Sequence, residues 1–98
     1  MEFHTKVAGV TFDNRQRYIR RMSVGETVSL VREPNNPYDR NAICVINENG
    51  DQIGFISKDL ASTMAPQMDS GVNYYATVCG ITGNNPGENI GVNLLIRY

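Results

Sequence analysis

The segment REPNNPYDRNAI, Arg32 to Ile43, sets a phenol beside a carboxylate, Tyr38 and Asp39, on a stretch otherwise built of turn formers between two apolar runs. Pro34 and Pro37 restrict φ, and Asn35 and Asn36 tolerate turn conformations, so the stretch reads as a rigid arc that presents Tyr38 and Asp39 at the mouth of the following strand. Two chemistries are open to the pair. Tyr38 can stack on a base or sugar while Asp39 accepts a hydrogen bond from a hydroxyl or an exocyclic amine. Alternatively, Asp39 accepts backbone N–H groups to stabilise the turn, and Tyr38 packs as a lid on the core.

The strongest local charge feature is Arg15, Arg17, Arg20 and Arg21, four guanidinium groups within seven residues. Guanidinium pairs bidentately with phosphate oxygens and releases counterions, so the cluster can grip a nucleic-acid backbone. It can equally be the solvated face of a short helix, partly neutralised by Asp13 and Glu26. Glu33, Asp39 and Asp51 could in principle converge on a divalent cation, although acids scattered over turns are more often solvated. The lone histidine, His4, has no evident partner for general-base work and reads as a surface or edge residue. Cys44 and Cys79 lack the spacing of a metal knuckle and read as buried reduced thiols. No phosphate-cradling glycine motif occurs. The residues imply no catalytic site and no cofactor.

The elements that must position these groups are mostly strands. Segments rich in β-branched and aromatic residues recur at close spacing between turn signals, predicting strands over about Glu2–Thr11, Glu26–Arg32, Ala42–Ile46, Gln52–Ile56, Tyr74–Ile81 and Gly91–Tyr98. ENGD, Glu48 to Asp51, supplies a hairpin turn, and TGNNPGEN, Thr82 to Asn89, an exposed loop. Between the fourth and fifth strands Ser57 can cap a helix with Leu60, Met64 and Met68 on one face and Gly71 closing it. Pro66 should kink or split that helix. Asn14 to Met22 forms a second short helix, with Tyr18, Ile19 and Met22 inward and the four arginines outward. The fold class is therefore mostly β, a small six-stranded OB-like or SH3-like barrel with one or two short helices.

The chain has 98 residues and a formal net charge of −1, enough for one domain and too balanced for a global pull toward nucleic acid or an anionic membrane. No apolar run approaches the roughly 18 residues of a membrane span, and the first ten residues carry Glu2, His4 and Lys6. The expectation is a soluble, cytoplasmic protein without a membrane partner.

A set of motifs now falls into order along the chain: VAGVTF at Val7–Phe12, Gly25 with V-x-L at Val28–Leu30, REPNNPYDRNAICV at Arg32–Val45, G-x-QIG-x-I-x-K at Gly50–Lys58, Leu60-Ala61, and MDSG at Met68–Gly71. Together they resemble a HIRAN domain over nearly the whole chain, 1–98. The resemblance implies an OB-like barrel of the kind found in fork-remodelling helicase-like proteins, capturing the 3′ end of single-stranded DNA. It implies that Asp39 bonds the free 3′ hydroxyl, that Tyr38 and Phe12 flank the terminal base, and that Lys58 contacts phosphates. A carboxylate accepts from a hydroxyl but repels a terminal phosphate, so such a pocket distinguishes a free end from a blocked one. Asn36 on the same loop and Arg17, Arg20 and Arg21 complete the expected nucleic-acid contacts.

The sequence also departs from the end-binding members. Thr11 stands where they carry an arginine, Phe55 replaces a histidine, and the late loop lacks their closing aromatic. The function expected is thus a non-catalytic module binding nucleic-acid ends, in DNA repair or replication-fork processing, with a helicase or nuclease partner. The alternatives are a protein-interaction scaffold and a metal-dependent nuclease.

Overall fold

A computed structural model describes residues 1–83 and 85–98. Its elements are β1 (Glu2–Lys6), α1 (Gln16–Ile19), β2 (Thr27–Arg32), β3 (Ile43–Ile46), β4 (Gln52–Phe55), α2 (Lys58–Asp69), β5 (Tyr75–Thr82) and β6 (Gly91–Arg97). All six strands join one antiparallel sheet in the order β1-β6-β5-β2-β3-β4. The sheet curls until its two outer strands approach each other. There the Ala8 N–H donates to Phe55 O at 2.8 Å and the Phe55 N–H to Ala8 O at 2.9 Å, so the sheet closes on itself. The expected small barrel is the fold observed.

Alternation along the strands fills the interior. In β6 the buried residues are Val92, Leu94 and Ile96, and in β5 Ala76 and Val78, as a period of two requires when one face is covered. β3 is buried almost continuously through Ile43, Cys44 and Val45, because one of its faces meets the core and the other lies under the Arg32–Ala42 loop and Gln52. Met64 and Ala61 of α2 enter the same core, with Leu60 and Met68 packed at its margin, as the i, i+4, i+8 spacing predicts.

Four expectations are corrected. The first strand stops at Lys6 rather than Thr11, because Ala8 leaves the ladder to pair with Phe55 and Gly9 then takes positive φ and turns the chain. Pro66 does not split α2, which runs unbroken over Lys58–Asp69. Only the last helical turn lies beyond it, and its ring is exposed, so little packing depends on the lost donor. The second helix is a single turn, Gln16–Ile19, with Arg15 buried rather than outward. Cys44 is buried as expected, but Cys79 is exposed: Val78 takes the inward position and a register shift follows between Val78 and Gly80. Within the expected Thr82–Asn89 loop, Asn84 lies outside the described residues.

Closure depends on Gly54. A Cβ there would stand 2.3 Å from Ala8 O and 2.5 Å from Val7 Cγ1, so no side chain fits between β4 and the chain leaving β1. Gly54→Ala must push the two ends of the sheet apart, at a cost of about 3 kcal/mol or more. In thermal denaturation followed by circular dichroism, this variant melts at least about 10 °C below the wild type.

Candidate nucleic-acid interface

The loop between β2 and β3 is built around Asn36. Its side-chain oxygen accepts the N–H groups of Tyr38, at 2.9 Å, and Asp39, at 3.1 Å. Its amide nitrogen donates to Glu33 Oε1 at 3.0 Å. An asparagine side chain thus substitutes for backbone in fixing the turn, and both following residues point away from the core. Asp39 in turn accepts the Asn41 N–H at 2.9 Å through Oδ1, while among the described residues its second oxygen has no hydrogen-bond partner. Both readings of Asp39 therefore hold together: one oxygen stabilises the turn and the other is available.

Tyr38 is 91% exposed, which rules out its packing as a lid. Phe12, on the loop after β1, is 67% exposed. Large rings left this open cost apolar hydration and favour a ligand that covers them.

Arg32 secures the loop from below. It donates to Ala42 O at 2.7 Å and Arg40 O at 2.9 Å, and it meets the Asp69 carboxylate at 3.0 and 3.1 Å at the end of α2. The hydrogen-bonded Asp69 raises the Arg32 pKa, and Arg32 holds the Asp69 carboxyl below the usual carboxylate range. Beneath the pocket, burial and then the nearby Glu33 carboxylate push the Cys44 thiol up, so Cys44 stays protonated and inert.

Phe12, Asn36, Tyr38, Asp39 and Lys58 all line one concave pocket of about 660 Å³. Glu33, Gln52 and Phe55 complete its floor and walls together with Arg15. Arg17, Arg20 and Arg21 do not line it; they lie exposed along and after α1, with the Arg17 guanidinium 4.5 Å over the Tyr18 ring. Glu33, Asp39 and Asp51 do not converge, since Asp51 stays in the β3–β4 hairpin, where its N–H donates to Asn47 Oδ1. Among the described residues no cluster of His, Cys, Asp or Glu is placed to hold a metal ion.

Arg15 is the residue the arginine reading missed. A signal was present: Arg15, Ile19 and Met22 share one helical stripe, and the other two are buried core residues. Gln16 was also passed over, although it bonds Val10 O and Ile90 O at 2.9 Å each and so ties the loop before α1 to the residue that leads into β6.

Acid should loosen the Arg32 tie. The folded pKa of Asp69 lies below its unfolded value, so the pair's contribution is full above the ordinary carboxylate range and is lost as pH falls through the depressed value. The amide resonances of Arg40 to Ala42 are expected to shift in a titration extending below about pH 4, and Asp69→Asn abolishes that transition.

Comparison with known proteins places this geometry in context. The family model described as HIRAN domain matches residues 1–98. The crystal structure of the HIRAN domain of human HLTF superposes with a TM-score of 0.79 and 32% identity, covering 97% of this chain and 72% of that one. An NMR structure of the HLTF HIRAN domain in its DNA-bound conformation gives a TM-score of 0.64 and 30% identity, covering 97% and 71%. In sequence, the rabbit (Oryctolagus cuniculus) helicase-like transcription factor is 48% identical over 60 residues, 61% of this chain and 6% of that protein. The chain thus corresponds to a small fraction of that much longer relative.

Proposed function

The chain belongs to the HIRAN domain family, and from that premise we propose that it is a non-catalytic module that binds the 3′ end of single-stranded DNA. One observation carries the reading: two mostly exposed rings, Phe12 and Tyr38, share a single concavity with the half-used carboxylate of Asp39 and the ammonium of Lys58. Stacking is indifferent to base identity because every base has a π face, so the rings supply affinity without sequence choice. The free oxygen of Asp39 supplies the discrimination, accepting from a terminal hydroxyl and repelling a terminal phosphate. Lys58 meets the backbone as a point charge.

The NMR structure of the HLTF HIRAN domain in its DNA-bound conformation, similar to this chain over 97% of its length, supports the choice of polymer. Arg17, Arg20 and Arg21 lie on the segment that follows the Phe12 loop and serve as flanking phosphate contacts rather than pocket residues. Base stacking contributes about 1–3 kcal/mol per base, so one or two stacked bases with few phosphates give weak, salt-sensitive binding unless the module is tethered. A strand end held this way is suited to presentation to a helicase or nuclease in repair or replication-fork processing.

The test compares labelled oligonucleotides ending in a 3′ hydroxyl and in a 3′ phosphate by fluorescence anisotropy. The free end should bind more tightly. Asp39→Ala removes a hydrogen bond to a charged group, about 1.5–3 kcal/mol, and should weaken the free-end complex by about tenfold or more while the phosphorylated one, relieved of repulsion, binds no more weakly than before. Arg20→Ala should weaken both alike. Equal binding of the two oligonucleotides by the wild type sinks the end-capture mechanism.

A further inference from the structure

We propose that Arg15 is the positioning residue of this pocket, holding the Phe12 loop against β4 so that the Phe12 ring faces the ligand without Arg15 itself contacting a phosphate. The inference rests on the pocket being a nucleic-acid site, as argued above. It starts from an anomaly: an arginine only 6% exposed in a small barrel, while Arg17, Arg20 and Arg21 close by in sequence are all exposed. Burying a guanidinium is costly unless its donors are satisfied, so its partners reveal what it is for.

Those partners lie on both sides of one gap. Nη1 donates to Gly9 O at 2.7 Å, at the start of the Phe12 loop. Nη2 reaches Asp13 Oδ2 at 3.2 Å, just past Phe12, and Gln52 Oε1 at 3.3 Å on β4. The guanidinium plane also lies over Phe55 of β4, 5.3 Å from the ring centroid. A single planar group therefore brackets Phe12 on both sides in sequence and anchors the bracket to the opposite strand.

The loop is built to admit it. A Cβ on Gly9 would stand 3.0 Å from Arg15 Nη1, and Gly9, Asp13 and Asn14 occupy positive φ, so the backbone turns back around the guanidinium. Besides that anchor, the loop is held by the Phe12 N–H to Gly9 O at 3.3 Å, the Arg15 N–H to Phe12 O at 3.1 Å and, away from Phe12, the Gln16 amide to Val10 O at 2.9 Å. Phe55 gains a role as well. An aromatic at that position gives the guanidinium a flat apolar surface to rest on, which an ordinary aliphatic side chain would not.

A positioning role and a phosphate-contact role give different salt dependences. The probe is a labelled oligodeoxythymidine with a free 3′ hydroxyl and a fluorescent base analogue at its terminal nucleotide, bound to the full chain. Arg15→Met should weaken binding by about tenfold through lost preorganisation and reduce stacking of the terminal base at saturation. The slope of log affinity against log salt should stay at the wild-type value. Arg15→Lys keeps the charge but not the planar fork, and should not restore binding.

A slope reduced by about 0.7, the signature of one lost phosphate contact to a single strand, overturns the proposal. So does restoration by Arg15→Lys, or wild-type affinity in Arg15→Met. Should Arg15→Met fail to fold, Gln52→Leu decides, since it removes the guanidinium's hydrogen bond to β4 and leaves those to Gly9 and Asp13 in place: weaker binding with unchanged slope supports the proposal, and undiminished binding overturns it.

If the wild type binds no oligonucleotide, the nucleic-acid reading fails, and Arg15 is judged by amide exchange alone. Faster exchange at Phe12 with Ile53 unchanged, in whichever of the two variants folds, upholds its hold on the loop; unaltered exchange at Phe12 refutes it.

Discussion

Two backbone hydrogen bonds between Ala8 and Phe55 hold the outer strands of the sheet together, and the pocket exists only because they form. The sheet otherwise ends at β1 on one side and β4 on the other, two edges that would stay open. Closure brings the chain after β1 over the end of β4, which places the Phe12 loop opposite the Asn36–Asp39 loop. The bare backbone of Gly54 makes that approach sterically feasible. A curled sheet with the same core but a gap at this point would carry both loops and no concavity between them.

Two arginines then fix the two walls. Arg32 gathers the carbonyls at the base of the β2–β3 loop and links them to Asp69 of α2. Arg15 gathers the Phe12 loop and links it to β4. Both spend their charge on structure, which is why the chain's arginine content says little about how many phosphates it could contact. Lys58, exposed at the start of α2, remains an unspent charge on the pocket lining.

The strand pattern was legible because β alternation is local. Val92, Leu94 and Ile96 declare a buried face by themselves, and every strand was placed to within a residue or two except the first. That one was read too long because Val7 to Thr11 continues to look apolar, whereas its backbone is bent by positive φ at Gly9, and at Asp13 and Asn14 beyond. The PNNPYD loop was legible for a related reason: proline and asparagine restrict their own backbone wherever they stand.

The local sequence by itself determined the elements, the turn that presents Tyr38 and Asp39, and the motif order that marks the HIRAN family. Tertiary structure alone decided which charges were spent and which remained. Arg15 and Arg17 are two residues apart and chemically identical, yet one is buried between Gly9, Asp13, Gln52 and Phe55 and the other lies over Tyr18 at the surface. Gln52 and Phe55 are 37 and 40 positions from Arg15, and only closure of the sheet brings them beside it. Burial of a guanidinium depends on acceptors contributed from elsewhere, a quantity no local pattern of residues encodes.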